Sequence, residues 1–354
     1  MDMSVPRLSI SMERAPWQWI ACTNGSLGAF AGVHPATARS AYSWAGIATV
    51  NHLKIPQTWR SMNAPSPTLP QASLDDDALA HALASGAAEV LVALRAEVDA
   101  AGGAFVAKEF KDAGDAAAQA WLAAALSAAR PADAVLSEEA KDDASRTRAD
   151  RVWIIDPLDG TREFAERHTD GPLAGQWRDD FAVHVALWER GAGLTVGAVA
   201  LPARGLVLTT ADGVVRDDDL TAVLAGDRPL RIAASRSRPP EFVAALAERS
   251  DVELVPMGSA GVKMLAVADG TVDVYVHGGG QYEWDSAAPV AVARSRELVC
   301  TRLDGSELEY NRESPWLPDL FVCPPALAQR LRELLDTVGV ASVVGADSKE
   351  GAQP

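Results

Sequence analysis

Asp156 and Asp159 bracket a Pro-Leu turn within Asp156-Pro157-Leu158-Asp159-Gly160-Thr161-Arg162-Glu163-Phe164. Carboxylates at that spacing can face one point, and hard divalent cations such as Mg²⁺ take carboxylate, carbonyl and water oxygens. The Leu158 carbonyl lies between the two aspartates and could add a ligand. Gly160-Thr161 would then open a helix, whose unpaired N–H groups form a natural phosphate seat. The same residues also suit an ordinary strand-to-helix turn, with Asp159 or Thr161 as cap. Upstream, Glu138-Glu139 follow the apolar run Ala134-Val135-Leu136-Ser137. As a strand parallel to the next one, that run would bring a glutamate beside Asp156. Adjacent glutamates are otherwise a common solvated face. Downstream, Trp284-Asp285-Ser286-Ala287-Ala288-Pro289 reads as a helix start, with Asp285 as N-cap and Trp284 packing before it. A capping carboxylate at the mouth of a sheet can also bind metal through its other oxygen.

The elements that must position these residues are legible from Ser73 onward. Ser73-Leu74-Asp75-Asp76-Asp77 supplies capping side chains and N-terminal negative charge for a helix running to about Val98. A second Ala-rich helix is expected over Ala113–Ala129, stopped by Pro131. Val152-Trp153-Ile154-Ile155 reads as a buried strand delivering Asp156. Strands are expected again at 181–188, 194–201, 206–210, 230–234, 252–255, 272–276, 298–301 and 320–323. Helices are expected near 240–248, 260–268, 286–294 and 326–338. Helices first, then strands, then alternation imply layered α/β packing with a division near residue 230. The expected units are residues 71–230 with the metal site, residues 231–340 completing it, and a flexible tail at 341–354. The polar stretch Ala165–Asp180 reads as a lid or a disordered loop.

Taken together, the acidic pair, Trp-Ile-Ile-Asp-Pro-Leu-Asp-Gly-Thr and Trp-Asp-Ser-Ala-Ala-Pro resemble the inositol monophosphatase superfamily of Mg²⁺-dependent, lithium-sensitive phosphatases. Arg162-Glu163-Phe164 is similar to the CysQ-type 3′(2′),5′-bisphosphate nucleotidases, and most of all to their actinobacterial branch. The likeness continues through Pro202-Ala203-Arg204-Gly205, Gly258-Ser259-Ala260-Gly261 and Gly279–Asp285, covering about residues 73–338. It implies an α/β fold, the layered αβαβα sandwich of the inositol monophosphatase and sugar phosphatase type. It further implies Glu138, Asp156, the Leu158 carbonyl, Asp159 and Asp285 as ligands of two or three Mg²⁺ ions, with Glu139 behind them. Gly160 and Thr161 match the phosphate-holding positions, and Thr161 also the position that orients water; Arg162 is a further expected substrate contact. Catalysis would fall to Asp156, Asp159, Thr161 and Glu138. Ser259, Lys263 and His277 are candidates for nucleotide contacts.

Two departures stand out. Relatives carry Asp-x-Val-Thr-x-Ala-Asp before the second helix. Aligned from Asp115, the Thr and final Asp fall on Ala118 and Trp121, which would remove a third metal site and the usual partner of Thr161. The Gly258–Lys263 segment is also one residue longer than the Gly-Ser-Ser-Leu-Lys of nucleotidases. Among other residues, His184 alternates with Val183 and Val185 and is expected to be packed or hydrogen-bonded. Ser235-Arg236-Ser237-Arg238 could reach a second phosphate or stay solvated.

The implied reaction is removal of the 3′-phosphate of 3′-phosphoadenosine 5′-phosphate, or of its sulfated form, in sulfate assimilation. A broader inositol-phosphate or fructose-1,6-bisphosphate phosphatase is the alternative, and a non-catalytic phosphonucleotide sensor the reading from another class. Composition narrows the partners. The 354 residues carry a formal net charge of −16, a poor surface for nucleic-acid polymers. No run of 18 apolar residues is present, so no membrane partner is expected. Cys22, Cys300 and Cys323 are odd in number and widely spaced, which fits a reducing, cytoplasmic setting and gives no nucleophile context. A homodimer is compatible with all of this. Residues 1–70 differ from the rest, with a net charge of +3 and four of the ten tryptophans in no periodic pattern. They read as a disordered extension or, preferably, as an upstream start artefact with Met62 as initiator.

Overall fold

Asp75 caps the first helix, α1 (Asp76–Ala100): its side chain accepts from the Ala78 N–H, and Asp76 and Asp77 lie in the first turn, where negative charge is favoured. The computed structural model describes residues 67–213, 220–237 and 239–340. The expectations for Met62 and the segment before Pro67, for Arg238 and for the tail at 341–354 lie outside those residues. By length and composition α1 is apolar enough to cross a membrane, which a search for unbroken apolar runs overlooks. Its apolar residues Leu79, Leu83, Leu91 and Val98 are instead buried in the core. Helix α2 (Ala107–Ala129) starts six residues before the expected Ala113. Ala107, Lys108, Glu109 and Lys111 are strong helix formers, and Phe110 anchors the added turn in the core.

Among the described residues, the strands form two five-stranded sheets. The first contains β1 (Ala134–Ser137), β2 (Arg151–Asp159), β3 (Ala182–Glu189), β4 (Gly193–Leu201) and β5 (Leu206–Thr209), in that spatial order. A four-residue helix, α3 (Thr161–Phe164), follows β2. β1 runs parallel to β2, as expected for the run before Glu138-Glu139, and the remaining pairs are antiparallel. After α4 (Thr221–Ala225) come β6 (Leu230–Ser235), α5 (Glu241–Leu246), β7 (Val252–Met257), α6 (Ala260–Ala268), β8 (Val274–Tyr282) and α7 (Glu283–Ser295). The last elements of the described residues are β9 (Val299–Thr301), β10 (Trp316–Cys323) and α8 (Ala328–Thr337). The second sheet has the order β7-β6-β8-β10-β9.

The inner strands β2, β3 and β4 are buried on both faces and carry near-continuous apolar sequence. Trp153, Ile155, Val183 and Val185 face α1 and α2. Val152, Ile154 and Ala186 face the other way, toward α6, α7 and residues of the second sheet such as Tyr275 and Val322. Ile232, Val276 and Phe321 cover the far side of that sheet with Phe242 of α5 and Leu331 of α8. The outcome is a five-layer αβαβα sandwich, with α6 and α7 between the sheets. Gly197 is needed there, because a Cβ would come within 2.7 Å of Ala291 Cβ and 2.8 Å of the Ala288 carbonyl of α7.

The 165–180 segment is ordered, correcting the disordered alternative. An antiparallel bridge joins Arg167 to Trp177. Arg95 of α1 is buried beneath the segment, its guanidinium 4.2 Å from the Phe181 ring centroid. It donates to the carbonyls of Glu163 (3.0 Å), Phe164 (2.7 Å) and Arg178 (2.7 Å). One cation thus satisfies the C-terminus of α3 and the end of the loop, fixing the turn that follows Asp159. Arg95→Ala would strand those acceptors and open a void, so a loss of about 3 kcal/mol is expected in urea denaturation. A change below about 1 kcal/mol would show that the loop holds itself.

Candidate functional site

β2 ends in the Asp156–Asp159 turn, and α7 opens beside it. Ligand atoms of Asp156, Asp159 and Asp285 all lie within 4.8 Å of one another. Asp156 is fully buried; one of its oxygens accepts from the Leu158 N–H at 3.0 Å, and Oδ2 has no hydrogen-bond partner. Glu138, just past β1, is not one of these three residues, but its carboxyl end lies near enough to feel the charges of Asp285 and Asp159, although the residue as a whole is exposed. Asp159 Oδ2 accepts from Ser259 Oγ (2.5 Å) and from the Gly261 N–H (2.9 Å) at the start of α6. The site is therefore assembled from both sheets and from the helices between them.

The expected cap at Asp285 is corrected. α7 begins at Glu283 with Tyr282 as N-cap, and Asp285 is its third residue, accepting from the Tyr282 N–H at 2.6 Å. The start shifts because Glu283 is held from outside: its N–H donates to the Pro315 carbonyl, and its carboxylate accepts from the N–H groups of Asn311 and Arg312. A carboxylate reaching back from the third helical position still has an oxygen to offer the cluster.

Electrostatics show what such a cluster lacks. Two ionised carboxylates 4.8 Å apart repel by about 3 kcal/mol at an effective dielectric of roughly 20, and burial adds to that cost. Burial, then Glu138, Asp159 and Asp285, accordingly drive Asp156 well above the usual carboxylate range. Burial and Asp285 push Glu138 up to about 7, and burial and Asp159 push Asp285 up to about 6. Asp159 is the exception: burial opposes its ionisation, but His184, Lys263 and Ser259 hold its carboxyl at about 2. An all-oxygen donor set of converging acids, with an orphaned buried oxygen on Asp156, fits a hard divalent cation.

Thr161 and Gly160 sit at the mouth of this cluster. Gly160 has φ 86°, and a Cβ there would come within 3.2 Å of the Phe181 Cα, so glycine is required by conformation and by space. Thr161 Oγ lies 3.1 Å from the Leu158 carbonyl and 3.4 Å from Asp115 Oδ1. The expectation that Thr161 loses a carboxylate partner is thereby corrected: Asp115 provides one. Burial, followed by Glu139 and Glu138, raises Asp115 to about 8.

The remaining candidates are engaged elsewhere. Arg162 is exposed on α3. Ser259 caps α6 by accepting from the Val262 N–H while donating to Asp159. Lys263 is buried, donating to the Gly258 (3.2 Å) and Ser259 (2.6 Å) carbonyls, and burial lowers its pKa. His277 donates from Nε2 to the Gly280 carbonyl at 2.9 Å. Arg236 is paired with Glu163 at 2.7 Å and with Glu166, so it is not a solvated side chain. His184 is fully buried, as its alternation with valines led us to expect, but it lies against the acidic cluster. No local signal announces that placement.

The 3′-phosphoadenosine 5′-phosphate phosphatase of Mycobacterium leprae is 47% identical over 269 residues, covering 73% of this chain and 92% of that protein. The protein of the same name from Mycobacterium tuberculosis is 50% identical over 222 residues, covering 61% of this chain and 78% of its own. Staphylococcal IMPase-II shares the fold, with a TM-score of 0.60 at 18% identity over 78% of this chain and 99% of that one. A sequence model of the inositol monophosphatase family matches residues 75–338, a span that begins at the cap of α1 and takes in both sheets and every carboxylate of the cluster. On sequence and fold, the chain belongs to the inositol monophosphatase family.

Proposed function

We propose that the chain hydrolyses the 3′-phosphate of 3′-phosphoadenosine 5′-phosphate, and of its sulfated form, in a Mg²⁺-dependent reaction in the cytoplasm. The supporting observation is the convergence of Asp156, Asp159 and Asp285 beside the Gly160-Thr161 turn, in a chain 47% identical to a phosphatase of that name. In this reading Glu138, Asp156, the Leu158 carbonyl, Asp159 and Asp285 hold two or three Mg²⁺ ions. Bound there, the ions supply the Lewis acid that activates water and offsets charge on the phosphoryl oxygens. The chain does the rest by positioning. Ser259 and Gly261 orient Asp159 from one side, and the Tyr282 N–H orients Asp285 from the other. Asp115 and the Leu158 carbonyl restrict the Thr161 hydroxyl to two directions, which suits it to align a water molecule. Among the described residues both cysteines, Cys300 and Cys323, are buried, and burial pushes Cys300 up to about 12, so neither is placed to act as a nucleophile.

One observation favours the broader sugar-phosphate reading. Lys263 spends its ammonium on two carbonyls and His277 its Nε2 on a third, so neither is poised for a nucleotide. Phosphate release from 3′-phosphoadenosine 5′-phosphate, inositol 1-phosphate and fructose 1,6-bisphosphate, measured in parallel with Mg²⁺, separates the readings. We expect kcat/KM for the nucleotide to exceed either sugar substrate by at least ~10-fold. Equal or reversed preference would replace the nucleotidase assignment, and no release from any would favour the sensor.

A further inference from the structure

We propose that His184 is a positioning residue for the metal-binding carboxylates, its ring bridging Asp159 and the carbonyl that precedes Asp285. The proposal rests on the metal-dependent reading above, and none of the expected ligands includes it. His184 lies in β3 directly opposite Asp156, fully buried. Its Nδ1 is 3.1 Å from the Trp284 carbonyl, which can only accept, so Nδ1 is the donor of that bond. Nε2 packs 3.2 Å from Asp159 Oδ2 with no hydrogen bond between them, and Nδ1 is 3.9 Å from Asp156 Oδ2. One rigid ring thus touches the carboxylates of the β2 turn and the backbone of α7 one residue before Asp285, spanning the junction between the first sheet and the helices behind it. A ring in this place fixes how far the two halves of the ligand set stand apart.

The surroundings are shaped to receive it. A Cβ on Gly261 would lie 2.1 Å from His184 Nε2, so the first turn of α6 admits the imidazole only because residue 261 is glycine. Asp159 Oδ2 then meets three groups, from Ser259, Gly261 and His184, and cannot swing freely. Partners that orient metal ligands in this way typically account for about 10- to 100-fold in metal affinity.

The two nitrogens can be removed separately. His184→Asn places an amide near Nδ1 and gives up the reach to Asp159; His184→Gln places one near Nε2 and gives up Trp284. Mn²⁺ titration of the metal-free full chain, read by the electron paramagnetic resonance of free Mn²⁺ with Mg²⁺ as competitor, reports affinity without turnover. Each variant should bind Mn²⁺ about 10-fold more weakly with a near-wild-type circular dichroism spectrum, and Gly261→Ala, which crowds the ring from α6, should do the same. Wild-type affinity in both folded His184 variants would overturn the role. Absence of Mn²⁺ binding by the wild-type chain would overturn the metal reading and this role with it. Binding that depends on Asp159 but not on His184 would overturn this role alone.

Discussion

Asp159→Asn should lower kcat/KM for phosphate release by on the order of 10³-fold, equivalent to about 4 kcal/mol of transition-state stabilisation, while the fold stays intact. The asparagine is nearly isosteric, and its amide oxygen can still accept from Ser259 and the Gly261 N–H. What it lacks is the charge. Asp159 is the one member of the cluster held ionised at all working pH, at about 2, by His184, Lys263 and Ser259 against the cost of burial. The other acids are raised toward or above neutral pH, so in the metal-dependent reading Asp159 would supply the permanent negative charge that recruits the first ion. Steady-state kinetics with saturating Mg²⁺, together with near-ultraviolet circular dichroism, checks both halves. A loss below about tenfold in a folded variant would refute the metal role of this carboxylate.

The metal-free protein should lose stability as pH rises from about 5 to 8, and Mg²⁺ should remove most of that loss. Asp285, Glu138 and Asp115 are raised to about 6, 7 and 8 respectively, chiefly by burial and then by one another's charge. Each value lies above that of the same carboxyl in the unfolded chain. Between the two values the folded protein keeps a proton the unfolded chain has shed, so unfolding gains ground as pH climbs. The penalty is absent below about pH 4 and complete once pH passes the folded values. With allowance for coupling among the acids, about 4 kcal/mol is at stake, or roughly 10 °C in melting temperature for a chain of this size. A divalent cation on the same oxygens displaces those protons, so Mg²⁺ should raise the melting temperature more at pH 8 than at pH 5.5, with measurable proton release in weak buffer. Thermal unfolding across that range, with and without Mg²⁺, provides the test. A melting temperature that does not fall with pH in the metal-free protein would contradict the convergence of these acids.

Several features were readable because they are local. Val152–Ile155 is an unbroken apolar run before two acids, and it forms the central part of β2. The capping residues before α1 and the apolar run of β1 carry their own signals in a few neighbouring residues. Misreadings occurred where distant residues override local preference. Gly278, Gly279 and Gly280 look like the end of a strand, yet β8 continues to Tyr282 because β10 pairs along it as far as Trp316. The Trp316 ring lies against Gly280, where a Cβ would come within 1.7 Å of it. The start of α7 moved for the same kind of reason, through backbone groups at 311, 312 and 315.

Residue type and spacing alone determined that this chain carries an oxygen-rich turn after a buried strand, a second acidic helix start and the periodicities of a layered α/β protein. Those are properties of three to nine consecutive residues, and side-chain chemistry and the 2.0 and 3.6 periods encode them directly. Only the tertiary structure decided which acids converge and how each is held. Asp159 meets Ser259 and Gly261 across about a hundred positions of sequence, and His184 meets the Trp284 carbonyl across a similar span. Such encounters follow from stacking α6 and α7 between two sheets and from the register of β3 on β2, where a slip of one residue would turn His184 to the opposite face. Burial raises Asp156, Glu138 and Asp285, while His184, Lys263 and Ser259 keep Asp159 ionised against it, a division no list of four carboxylates contains.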